Sequence, residues 1–181
     1  MKQTLWTENE WEIAPDGIPT RHAARVIIIS EDGHTFLMNG HDRLNPNYHW
    51  WFTVGGGIDP GETAQQAAVR EMREETGWEI SETQLIGPVI ERIGKFEFTD
   101  RVRRQIEYIY LVYTPRFNTD NSGWTRTENQ LIDAAQWIPI HELQQLGETG
   151  LIFPPELKNL IPEIYSNGWD ETCVKINEYN E

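Results

Sequence analysis

Residues Gly56–Trp78 read GGIDPGETAQQAAVREMREETGW. Within them, Thr63–Thr76 is the strongest helical stretch of the chain. Pro60-Gly61 precedes it. Thr63 and Gln66 match a capping box, in which each side chain satisfies an end amide, and Gly77 is suited to the left-handed stop. At about 100° per residue, Ala68, Val69 and Met72 fall on one side, the natural core face. Glu71, Glu74 and Glu75 gather on a neighbouring face, above Ala64 and Ala67. Like charges three or four residues apart destabilise a helix by roughly 0.2–0.5 kcal/mol per pair. Glu74 and Glu75 also sit in the last turn, where the helix dipole disfavours anions. Only Arg70 and Arg73 offer local relief. Two readings fit this cluster: a solvated acidic face, or a site for a hard divalent cation with oxygen ligands.

Outward from the helix the chain reads as strands. Arg25–Ser30 (RVIIIS) is nearly continuously apolar, as in a strand buried on both faces. Thr35–Asn39 and His49–Val54 (HWWFTV) follow, the second running into Gly55-Gly56-Gly57. Leu85–Glu91 and Gln105–Thr114 are strand-like, and the charged Arg92–Arg104 segment is expected to turn between them. Asn118–Asn129 reads as a polar loop, Ala134–Ile138 as a short strand, and His141–Leu146 and Pro154–Ile164 as short helices. An α/β domain with a mixed sheet is the expected architecture. Residues 1–20 read as a polar arm, 21–165 as the domain, and 166–181 as an acidic tail that frays.

Composition narrows the function. Among 181 residues, Lys plus Arg is 15 and Asp plus Glu is 29, a formal net charge of -14. That balance repels a nucleic-acid polymer. It leaves room for a small phosphorylated ligand, because a divalent cation reverses the local sign. Eight Trp, six Tyr and six Phe supply enough large apolar surface for a core. The longest apolar runs, Val26–Ile29 and Tyr108–Tyr113, fall well short of the ~20 residues that span a bilayer. The first residues lack the apolar core of a signal peptide. Cys173 is the only cysteine, so an internal disulfide is impossible and a cytoplasmic location is expected.

The quoted stretch resembles the Nudix box, G-x5-E-x7-R-E-U-x-E-E-x-G-U with U apolar. Gly56, Glu62, Arg70, Glu71, Glu74, Glu75 and Gly77 fill the fixed positions, and Met72 and Trp78 the apolar ones. HWWFT resembles the family's aromatic strand, and Trp137–Leu143 (WIPIHEL) its tryptophan–proline–acid–leucine segment. The likeness spans roughly residues 22–165. Two departures are visible: Val54 stands where many members have Pro, and Trp78 is bulkier than the usual aliphatic residue.

The resemblance implies an α/β/α sandwich that uses Mg²⁺ or Mn²⁺ to hydrolyse a nucleoside diphosphate linked to another moiety. By the same resemblance, Glu71 and Glu75 are the principal metal ligands, with Glu74 next and the carbonyl of Gly55 or Gly56 completing the shell. Catalytic roles fall to Glu71, Glu74, Arg70 and Glu128, while Glu62 and Arg70 organise the turn and its carboxylates. The general base is open between Glu71 and Glu128; Glu107 is a further candidate whose face the alternation leaves ambiguous. Arg101, Arg103 and Arg104 form the densest positive charge and are candidate phosphate contacts. Of the alternating Trp50-Trp51-Phe52, Trp51 is the candidate base-stacking residue. His41 and His49 flank the glycine loop as possible substrate contacts, and no histidine spacing matches a metal motif.

The expected partner is a small phosphorylated nucleotide; neither a nucleic-acid polymer nor a membrane is expected, and a homodimer is compatible with the sequence. Family patterns for dinucleoside polyphosphates, NADH and coenzyme A are absent. Their absence favours a nucleoside triphosphate, a nucleotide sugar or an ADP-ribose-like compound without choosing among them. Cys173 lies too far from the box to suit the isomerases of the same fold. A rival reading is a catalytically silent domain that senses a nucleotide.

Overall fold

The computed structural model describes residues 11–180. Ten strands form one mixed sheet: β1 (Glu12–Ile13), β2 (Pro19–Ile29), β3 (His34–His41), β4 (His49–Phe52), β5 (Val54–Gly57), β6 (Ile86–Phe98), β7 (Arg101–Tyr113), β8 (Ile132–Pro139), β9 (Leu151–Phe153) and β10 (Val174–Asn177). Four helices cover it: α1 (Ala64–Thr76), α2 (Arg126–Leu131), α3 (Leu143–Thr149) and α4 (Leu157–Asn167). The main path runs β10-β6-β7-β2-β3-β4-β9, with β1 and β5 joined to β2 and β8 to β3. The α/β class and the mixed sheet expected from the sequence are both observed.

The central strand β2 explains its own composition. Ala24, Val26 and Ile28 face one core with Ala67, Ala68 and Met72 of α1. Ile27 and Ile29 face the other, with Leu143, Leu157, Ile161 and Ile164 from the α3–α4 side. Alternate residues thus enter two different cores, which is why the run is unbroken rather than alternating. β7 lies parallel to β2 over its length, while β5 pairs antiparallel with it, Arg25 opposite Gly55. This double pairing delivers the glycine strand to the middle of β2, against α1.

Three segments differ from the sequence-based expectation. The Arg92–Arg104 segment does not turn as a whole. β6 and β7 continue through it, and only Thr99-Asp100 separates them. Its charges are accommodated because cross-strand and tail partners neutralise them: Arg92 is buried against Glu107 and Glu178. The polar Asn118–Asn129 segment contains the start of α2, capped by a reciprocal Thr125–Glu128 box. The acidic tail does not fray. β10 pairs in parallel with β6, Val174 opposite Ile90, since Val174 and Ile176 have an apolar core to join. Residues 1–10 of the expected arm lie outside the described residues. No helix among the described residues is long and apolar enough to cross a membrane.

Candidate active site

The helix α1 forms where the sequence places it. Thr63 and Gln66 cap each other's backbone, and Gly77 ends the helix at φ 77° with its N–H donating to the Arg73 carbonyl. Glu71 and Glu75 turn inward and are buried, 9 % and 4 % exposed. They are buried against β5. The Gly55 N–H donates to Glu75 Oε2 at 2.7 Å. A Cβ on Gly56 would collide with the Glu71 carboxylate, and one on Gly55 with the β2 backbone. Glycine is therefore required at Gly55, while at Gly56 it lets the Glu71 carboxylate lie against the strand. From the far side, Trp124 Nε1 donates to the Glu75 carbonyl at 2.8 Å.

Arg70 holds the rest of the box together. It grips Glu62 with two parallel bonds, Nε to Oε1 at 2.9 Å and Nη2 to Oε2 at 3.0 Å. It also donates to Glu71 Oε1 at 2.8 Å, Glu74 Oε2 at 3.2 Å and the Gly57 carbonyl at 2.8 Å. The Glu62 bonds, more than any other contact, keep the guanidinium charged. Glu62 in turn accepts the Asp59 N–H at 3.0 Å. The Glu62–Arg70 fork thus ties the approach loop to the helix.

The inward carboxylates are costly without a partner. Burial pushes the Glu71 carboxyl up to about 7, against the pull of Arg70. Burial raises Glu75 well above the ordinary carboxylate range, the neighbouring Glu71 charge adds to it, and the Gly55 N–H only partly opposes it. The charge of Glu128 raises both. Two buried, mutually repelling carboxylates beside closely approaching glycine backbone are a donor set of hard oxygens that suits a divalent cation such as Mg²⁺. The residues present therefore fit the metal that the sequence resemblance implies.

These groups line one end of a cleft enclosing about 860 Å³, its mouth included. Glu71, Glu75, Glu128, Gly55 and Gly56 form that end; Trp50, Phe52, Phe96, Phe98 and Phe153 form apolar walls. The floor is charged but internally paired. Glu107, fully buried, lies between Arg25 Nε at 2.6 Å and Arg92 Nη1 at 2.8 Å. Burial alone would raise the Glu107 carboxyl, and the two arginines outweigh it and hold it below its usual range. Arg92 continues to Glu178 at 2.7 Å, and Arg25 Nη1 donates to the Thr53 carbonyl at 3.1 Å. Gln105 completes the floor, its amide donating to Glu107 and accepting from Arg21.

The other sequence candidates fall in different places. Glu74 stays half-exposed on Arg70 and is not among the cleft-lining residues. Trp51 is also outside the cleft. It is partly buried against the core cluster that includes Leu143 and Ile152, because strand alternation gives the cleft face to Trp50 and Phe52. The three arginines do not line the cleft either. Arg101 lies over Phe98 and pairs with Asp100. Arg103 lies over the Trp11 ring, and Arg104 pairs with Asp16 and covers Tyr179. Glu107, whose face was ambiguous, is on the cleft floor but committed to its arginines. Arg25, Arg92, Gln105 and Phe98 are cleft residues that no local motif marks. The only signal for Gln105 and Glu107 is their shared strand parity.

The NUDIX domain family matches residues 19–157. An RNA pyrophosphohydrolase from Sphingopyxis alaskensis is 30 % identical over 141 residues, covering 72 % of this chain and 85 % of that protein. A nucleoside triphosphatase from Escherichia fergusonii is 27 % identical over 124 residues, covering 65 % of this chain and 82 % of the relative. Among solved structures, the MutT protein of Methanosarcina mazei superposes with a TM-score of 0.54 at 19 % identity, covering 82 % of this chain and 94 % of that one. The last likeness is one of fold. With the box geometry, the family match over most of the chain and the first relative, the chain belongs to the NUDIX domain family.

Proposed function

We propose that this chain hydrolyses the diphosphate bond of a nucleoside diphosphate linked to another moiety, with Mg²⁺ or Mn²⁺ as cofactor. The observation that carries this reading is the placement of buried Glu71 and Glu75 against Gly55-Gly56 at one end of an aromatic-walled cleft. An anhydride with a planar base at one end and charged oxygens at the other matches that division. Glu71 and Glu75 would hold the cation, with Glu74 and the carbonyls of Gly55 and Gly56 as further candidate ligands. When bound, the cation neutralises phosphate oxygens and lowers the pKa of water.

The chain's own residues do the rest. Trp50 and Phe52 offer faces on which a base can stack. Arg70 keeps Glu71 aimed at the cleft. Glu128, at the acidic end of the cleft, is the candidate to take the proton of the attacking water, as is Glu71 when a cation does not claim it. Water adds to a phosphorus, the anhydride P–O bond breaks, and the proton leaves on the carboxylate. The relatives named as an RNA pyrophosphohydrolase and a nucleoside triphosphatase support an anhydride substrate. The substrate class we favour is a nucleoside triphosphate, a nucleotide sugar or an ADP-ribose-like compound.

The test is a phosphate-release screen over those three classes, with Mg²⁺, with Mn²⁺ and with chelator, followed by hydrolysis in ¹⁸O water. Metal-dependent turnover with the label in a phosphate-bearing product is expected. Tight binding of one intact nucleotide without turnover of any substrate would replace the enzyme reading with a sensor.

A further inference from the structure

His41, His49 and Asp133 converge outside the box. Their donor atoms all lie within 4.8 Å of one another. His41 Nδ1 is 2.9 Å from Asp133 Oδ2, and His49 Nδ1 is 3.1 Å from the same oxygen. We propose that these three side chains form a second metal site, for a late first-row transition dication of the Zn²⁺ type, distinct from the carboxylate site on α1.

The backbone builds this arrangement. His41 and His49 are directly opposed in the β3–β4 ladder, so their Cβ atoms share one face of the sheet. Asp133 comes from the other neighbour of β3. The β3–β8 register slips there: Asn39 faces Ala134, and Gly40 faces Ile132. Asp133 is the extra residue of that bulge. A bulge re-aims a side chain that regular alternation would send elsewhere, and here it brings the carboxylate to the two imidazoles. Three adjacent strands thus supply one ligand each, from rigid backbone rather than a loop.

The donor chemistry selects the ion. Two imidazole nitrogens and one carboxylate suit Zn²⁺, Ni²⁺ or Cu²⁺; Mg²⁺ prefers oxygen alone. Ligands around one tetrahedral Zn²⁺, at bond lengths near 2.0–2.2 Å, sit roughly 3.3 Å apart. The observed His–Asp distances are just below that separation, so small side-chain rotations admit the ion. Both imidazoles already point the same ring atom at one carboxylate oxygen. His49 and Asp133 are exposed, so an ion can enter, and water completes the shell. His41 also lines the cleft, which puts the ion beside it.

The experiment uses the full, untagged chain stripped with a chelator. Zn²⁺ is titrated against a colorimetric zinc indicator with excess Mg²⁺ present throughout, and the histidine ring nitrogens are followed by NMR. The wild type should bind Zn²⁺ with large shifts of the His41 and His49 Nδ1 resonances. Glu75→Gln should retain that binding, which separates this site from the box. His41→Ala, His49→Ala and Asp133→Asn should each lose more than the roughly 10–100-fold that removal of a merely supporting hydrogen bond costs. Circular dichroism checks that each variant is folded. Wild-type Zn²⁺ affinity in all three variants, or ring resonances unmoved by Zn²⁺, would overturn the site and leave an Asp133-bridged histidine pair.

Discussion

Gly55 and Glu75 are twenty residues apart in sequence and joined by one hydrogen bond, Gly55 N–H to Glu75 Oε2 at 2.7 Å. That bond orients a carboxylate whose pKa burial raises well above the ordinary range. It also lays the Gly55 backbone beside the helix. Thr53, just before that strand, accepts Arg25 at its carbonyl, so one short segment links the paired floor of the cleft to its acidic residues.

Glu75→Gln should separate stability from function. Glutamine keeps an acceptor for the Gly55 N–H and removes a charge buried beside Glu71. We expect the metal-free variant to unfold at or above the wild-type temperature, to lose the upward shift that Mn²⁺ produces in the wild type by linkage, and to be nearly inactive. Wild-type turnover in saturating metal would sink the role given to Glu75.

The pH dependence of metal-free stability follows from the same pair. Both carboxyls have folded pKa values above the unfolded value, Glu71 at about 7 and Glu75 well raised. Between the unfolded value and the folded ones, the native state binds more protons than the unfolded chain. The slope of stability with pH is then negative. Their contribution is complete below the unfolded pKa and is lost as pH rises through 7. Urea unfolding of the wild type in chelator should therefore weaken between pH 5 and 8 relative to a Glu71→Gln/Glu75→Gln variant. Parallel pH profiles for the two proteins would count against the assignment.

Glu107→Gln tests the floor. Glu107 is fully buried between two arginines, one of which is 2 % exposed. Removing its charge leaves Arg25 without its buried carboxylate partner and Arg92 with Glu178 alone, a change that costs about 3–5 kcal/mol when a buried pair is broken. The loss should show in urea unfolding even without substrate or metal. A change of a few tenths would mean that the floor is wetter than its burial indicates.

Trp50→Ala and Trp51→Ala should diverge although they are adjacent. Trp50 walls the cleft, so its loss should chiefly raise KM. Trp51, partly buried, packs on the core of the opposite face, so its loss should lower Tm, by less than the about 3–5 kcal/mol cost of truncating a fully buried Trp. Arg104→Gln, whose partner Asp16 lies outside the cleft, should leave KM unchanged. A raised KM for the Arg104 variant would restore the phosphate contact suggested by its charge.

The sequence by itself determined the helix and its chemistry. Capping by Thr63 and Gln66, the stop at Gly77 and the convergence of Glu71 with Glu75 follow from helical spacing, which is local and nearly invariant. The glycines opposite were legible for the same reason: a contiguous motif carries its own geometry. The double-sided burial of Val26–Ile29 was legible from composition alone. What tertiary structure decided is every relationship set by strand register. A register shift of one residue exchanges the two faces of a strand, so local sequence could not choose Trp50 over Trp51. Nor could it assign Glu107 to Arg25 and Arg92, or show that Arg101, Arg103 and Arg104 leave the cleft. The acidic tail became a strand because β6 had an open edge and a core for Val174 and Ile176 to join. His41, His49 and Asp133 have no recognisable spacing. They meet because β4, β3 and β8 are neighbours and a bulge lies between Asn39 and Gly40, and pairing partners distant in the chain are selected by the packing of the whole sheet.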